Sequence, residues 1–123
     1  MKIAISATGK GIDNDVDVRF GRCPYFLIIE IENEAIKNSK AIENTAVQQS
    51  HGAGVSAAEL VAKENVDAII TDNMGPRAFD VFRQFGIPIF KSDGKIEEVV
   101  RRYINGELSE IKSSTGPRHG GRI

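Results

Sequence analysis

The sequence predicts a three-layer α/β/α domain built on a five-stranded mixed sheet, and two observations carry that expectation. The first half of the chain reads as three strands with polar breaks, and the second half alternates helix with strand. Alternation implies parallel strands joined by crossover helices. Strands two and three, separated only by Glu32–Glu34, must instead be antiparallel. One workable arrangement is the order 3-2-1-4-5 with strand 2 alone antiparallel. Right-handed crossovers then place helices one and two on one face and helix three on the other.

Each element has its own warrant. Lys2–Ser6 is a mostly apolar run suited to a central strand, and Thr8–Gly11 breaks it. Tyr25–Ile31 is rich in aromatic and β-branched residues, which favour strand. Ala35–Asn44 follows as the third strand, marked by Ile36 and Ile42. The period then changes: Ala53–Asn65 places Ala57, Leu60 and Val61 on one helical face. Val66–Thr71 is strand four. Gly75–Phe85 is a helix with Pro76 in its first turn, where the missing N–H costs little, and Ala78, Phe82 and Phe85 facing inward; Gly86 ends it. Ile87–Phe90 is strand five, and its Pro88 predicts a sheet edge. Lys95–Ile104 is the last helix, with Ile96, Val99, Val100 and Tyr103 on one face and Asn105-Gly106 closing it.

Length and charge narrow the function. The chain has 123 residues, which is one domain, here 1–112 followed by a flexible glycine-rich tail at 113–123. Sixteen basic against seventeen acidic side chains give a net charge of −1, without the basic surplus of a nucleic-acid binder. No apolar run reaches the ~20 residues of a membrane span. Met1–Ser6 runs straight into strand pattern without a signal peptide's length or cleavage site, so a cytoplasmic location is expected. Cys23 is the single cysteine, which excludes an intrachain disulfide and an all-cysteine metal cage within one chain.

The arrangement points to one edge of the sheet before any motif does. The C-terminal ends of strands one, three, four and five and the beginning of strand two converge there, and open α/β sheets bind ligands at such an edge. Three segments stand out. His51-Gly52-Ala53-Gly54 lets the backbone approach a ligand closely at a helix N-terminus, where N–H groups and the dipole favour anions; equally, Ser50 or His51 could simply cap the helix. Asp72-Asn73-Met74-Gly75-Pro76 offers similar N–H groups, or merely a cap from Asp72 or Asn73. Arg19-Phe20-Gly21-Arg22-Cys23 brings two guanidinium groups that suit an anionic ligand, or that only balance Asp13, Asp15 and Asp17. Cys23 is a candidate soft metal ligand with its thiolate favoured by the arginines, or a packed small residue. His119, in the tail, is a solvated histidine or a transient metal ligand. The three aspartates lack the glycine and glutamate of a calcium loop. No P-loop or nucleophile–histidine set is present, and strand one carries no carboxylate for Mg²⁺, so a non-catalytic role is expected.

Arg19–Phe26 (RFGRCPYF), Ser50–Gly54 (SHGAG) and Asp72–Phe79 (DNMGPRAF) occur in the order found in the dinitrogenase iron–molybdenum cofactor biosynthesis family. Together they make the chain resemble that family over roughly residues 1–110, as a small stand-alone member. The resemblance implies a ribonuclease-H-like fold, from which the order 3-2-1-4-5 is partly adopted. It also implies binding and carriage of an iron–sulfur or iron–molybdenum cluster, with cofactor-assembly proteins as partners. The site residues carried over are Arg19, Gly21, Arg22, His51, Gly52, Gly54 and Gly75; Asn73 joins them by position, and His51 and Cys23 are the metal-ligand candidates. A second reading is a small enzyme or sensor that binds a nucleotide or other phosphorylated molecule at the same edge. A third is a protein-interaction module that uses exposed apolar residues.

Overall fold

The computed structural model describes residues 1–48 and 51–113. The elements follow in the order β1 (Lys2–Ala7), β2 (Tyr25–Glu32), β3 (Ala35–Glu43), a 3-10 turn (Thr45–Gln48), α1 (Ala53–Ala62), β4 (Ala68–Thr71), α2 (Pro76–Phe85), β5 (Ile89–Lys91), α3 (Ile96–Ile104) and β6 (Ser109–Glu110). They form one sheet of order β3-β2-β1-β4-β5-β6. β1 is central: it runs antiparallel to β2 with Ile3 opposite Ile29, and parallel to β4 with Ala4 opposite Ile69.

Alternate residues of the apolar strands supply two cores, as a sheet covered on both faces requires. On one face Ala4, Phe26, Ile28 and Ile69 pack against Ala57, Ala58 and Val61 of α1 and Ala78, Phe79 and Phe82 of α2. On the other, Ile3, Ile5, Leu27, Ile29 and Ile70 pack against Ile96, Val99 and Val100 of α3. The three layers and the helix placement are those expected.

Four expectations need correction. The sheet has six strands, not five, and β2 is not the only antiparallel one, because β6 pairs antiparallel with β5 through Phe90–Glu110 and Lys91–Ser109. The chain reverses at Gly106, whose φ of 73° suits glycine, and a two-residue strand carries no periodicity that could announce it. β5 is therefore not the edge. Pro88 lies just outside it, and its carbonyl accepts a hydrogen bond from Ile69 N–H at 3.0 Å. Helix α1 stops at Ala62 rather than Asn65, which takes up φ 57°. Phe85, expected inward, is 64% exposed at the end of α2, and Phe79 takes the buried position instead. The predicted tail, apart from Ser113, and its His119 lie outside the described residues. No helix of the described residues is long and apolar enough to cross a membrane.

Candidate functional site

The C-terminal ends of β1 and β4 are joined by a buried polar link. Ser6 Oγ and Thr71 Oγ1 lie 2.8 Å apart with both residues fully buried, and Ser6 Oγ donates to the carbonyl of Asp17 at 2.9 Å. Asp17 N–H returns a bond to the Ser6 carbonyl at 2.9 Å. The chain is thereby brought back over the strand ends just before Arg19-Phe20-Gly21-Arg22.

Phe20 anchors that segment. Its ring is buried against Phe26 at 4.9 Å and Phe82 at 5.5 Å between centroids, so the flanking residues stay at the surface. Phe20 N–H donates to the Asn73 carbonyl at 3.1 Å, and Arg19 pairs with Asn73 in a parallel bridge. Gly21 meets α1 so closely that a Cβ there would lie 3.0 Å from Gly54 Cα and 3.2 Å from Gly54 N. Arg22 Nη1 donates to the Val47 carbonyl at 2.9 Å. The three segments thus meet at one edge, with the sequence-distant Arg19, Gly21, Gly54 and Asn73 as neighbours.

Sequence reasoning missed the residue that ties this edge together. Asn44 is buried; its amide donates to Gly21 O at 3.2 Å and Cys23 O at 2.8 Å, and its Oδ1 accepts from Ala46 N–H at 3.1 Å. It fastens the arginine segment to the 3-10 turn that leads toward His51. An asparagine directly after a strand is a capping signal, and that was the available clue.

Two helix N-termini open here side by side, so near that a Cβ added at Gly54 would lie 3.7 Å from Ala78 Cβ. Gly52 caps α1 at φ 72° and Gly75 caps α2, in neither case with a side-chain hydrogen bond. So neither His51 nor Asp72 nor Asn73 acts as a helix cap. His51 is exposed beside Gly52, and Asp72 instead pairs with Lys91 Nζ at 2.7 Å. The first N–H groups of a helix have no acceptor within it, so both ends offer donors and positive dipole ends to this edge. Gly75 is informative: its φ of −71° suits any residue and an added Cβ would meet nothing within 4 Å. The fold does not require glycine at that position.

Cys23 needs correction. It is fully buried and donates Sγ–H to the Phe20 carbonyl at 3.3 Å. Burial pushes its thiol up to about 12, and the charge of Asp17 adds to that shift. A thiolate favoured by the arginines is thus not what the surroundings give, and the ring of Phe20 and the sheet leave Cys23 packed as a small core residue. Among the described residues no group of three or more His, Cys, Asp or Glu side chains is arranged to hold a metal ion. Asp13 and Asp15 belong to a loop that closes onto α3, where the carbonyls of Ile12 and Asn14 accept from Glu97 and Ile96 N–H at 3.0 Å. A groove of about 350 Å³ lined by Asp72, Lys91, Ser92 and Arg102 includes Asp72 of the predicted segments, but none of their arginines or glycines and not His51.

Comparison with known proteins adds the lineage. Residues 1–106 match the family described as "Dinitrogenase iron-molybdenum cofactor". A Methanocaldococcus jannaschii protein, MJ0580, is 40% identical over 114 residues, covering 91% of this chain and 97% of its own. Among solved structures, the apo form of the orange protein from Desulfovibrio gigas superposes with a TM-score of 0.87 at 29% identity, covering 94% of this chain and 96% of that one. A Thermotoga protein described as a candidate NifB protein gives a TM-score of 0.79 at 28% identity, covering 94% and 97%.

Proposed function

We propose a function from the premise that the chain belongs to the dinitrogenase iron-molybdenum cofactor family. In this reading the protein is a non-catalytic carrier of an iron–sulfur or iron–molybdenum type cluster, or of its precursor, in cofactor assembly. The cargo is anionic and rich in sulfide. It sits on the glycine edge, where the N-terminal N–H groups of α1 and α2 and the guanidiniums of Arg19 and Arg22 offset its charge. The exposed imidazole of His51, when neutral, supplies a nitrogen ligand. The observation that carries the reading is Gly75: bare backbone at a helix cap, in a conformation open to any residue and facing open space, beside the arginine segment. Glycine there leaves a ligand room to reach the main chain.

Anaerobic reconstitution with iron and sulfide tests this. The wild-type protein should retain iron and colour after desalting. His51→Ala should retain much less while melting at the wild-type temperature, because His51 caps nothing. A colourless wild-type protein with no retained iron sinks the carrier reading.

One observation favours a second reading. The edge offers N–H and guanidinium donors and no thiolate, since Cys23 stays protonated and buried. Such donors fit a phosphate as well as a cluster. A melting temperature raised by nucleotides, with no iron uptake, would favour a small enzyme or sensor that binds a phosphorylated molecule.

A further inference from the structure

Of the three aspartates ahead of the arginine segment, Asp17 alone reaches an arginine among the described residues. Its side chain is only 10% exposed, and Oδ1 accepts from Arg19 N–H at 2.9 Å, so the carboxylate is fixed by the main chain whatever the arginine side chain does. Arg19 Nε lies 3.9 Å from the same oxygen, a loose pair, and the Arg19 side chain remains 65% exposed. A nearly buried negative charge is thus built in beneath a cation at the glycine edge. A turn needs only a short acceptor at this position, which serine or asparagine also supplies, so the backbone does not explain the charge.

We propose that Asp17 is an affinity-limiting residue for the anion that this edge binds, a step that rests on the carrier reading above. Its carboxylate competes with the incoming anion for Arg19 and repels it, which keeps the edge from holding its cargo too tightly to pass on. The specificity follows: an anion must draw the Arg19 side chain from a carboxylate that stays in place, which favours ligands that also engage the helix N-termini.

The test is equilibrium dialysis with molybdate as the probe, at low and at physiological salt, on the wild-type protein, Asp17→Asn and Asp17→Ser. Both variants keep an acceptor for Arg19 N–H, and melting curves establish that they fold. Removal of the charge should tighten molybdate binding about fivefold, the equivalent of a loose ion pair, with the gain shrinking as salt rises. A merely structural Asp17 would give weaker binding or no change. The gain should also be smaller in an Arg19→Gln background, since one partner of the competition is then gone. Equal or weaker binding in both variants, or no molybdate bound by any of them, overturns the inference. Failure of the carrier reading is read separately, from the iron and sulfide experiment.

Discussion

At the scale of single residues, the glycines of the edge divide by what the backbone demands. Gly21 is required by packing. In Gly21→Ala the new Cβ would press on the main chain of Gly54 at 3.0 Å, and backbone on backbone cannot yield cheaply. A loss of about 1–3 kcal/mol in urea unfolding is expected. Gly75→Ala should change stability by less than about 1 kcal/mol, because the lower entropy of the unfolded chain and the poorer N-cap oppose each other, while iron retention falls. Parallel unfolding and iron measurements on the two variants check the division. Cys23 gives a pH prediction. Its thiol is pushed from the ordinary 9.0 to about 12 by burial, so the folded protein keeps a proton that the unfolded chain releases. The stabilising effect is whole below pH 9.0 and is lost toward pH 12, by about 1.4 kcal/mol per unit. The stability difference between wild type and Cys23→Ala should therefore narrow between pH 8 and pH 10.5 in denaturant titrations. Sequence alone showed Arg19, Gly21, His51 and Gly75 as candidates because charge and glycine are visible as letters. Asn44 was harder to see, and Asp17 could not be told from Asp13 and Asp15 as the partner of an arginine, because the difference lies in which carbonyl or N–H faces each after folding.

At the scale of elements, the strands and helices with a full period were readable. The apolar runs Ile3–Ile5 and Ile28-Ile29, and the stripe of Ile96, Val99 and Val100, announce their faces directly. β6 and the 3-10 turn were not readable, since two and four residues cannot express a period. Yet β6 delivers Ile111, which is 9% exposed in the core under α2 and whose N–H donates to Ile89 O at 2.7 Å. A chain ending at Glu107 loses this side chain and the pairing of β5. It should melt several degrees below the full chain, as a loss of about 2 kcal/mol in a small domain implies. Circular dichroism melts of the two chains decide it. An unchanged midpoint would mean that β5 is stable as an edge.

At the scale of the whole molecule, one edge gathers segments from residues 6, 17–23, 44–47, 52–54 and 71–75, so anything bound there joins both halves of the sheet. Loading should therefore raise the melting temperature of the entire domain in one transition, with a stabilisation of about 2.7 kcal/mol at a hundredfold excess of ligand over its dissociation constant. Calorimetry of the loaded and empty protein checks this; a rise confined to part of the transition would show that the cargo holds only one half. The central position of β1 has a different consequence, one that concerns biosynthesis. β1, β2 and β3 are complete once residue 43 has been made, but the partner on the other side of β1 does not exist until residues 68–71. In that interval the meander presents an unpaired, wholly apolar strand edge at Ile3–Ile5. Such an edge pairs readily with another chain. The nascent protein is most exposed to wrong association between the emergence of β3 and that of β4 from the ribosome, and mutations that delay β4 should reveal themselves as lost yield before they reveal themselves as lost stability.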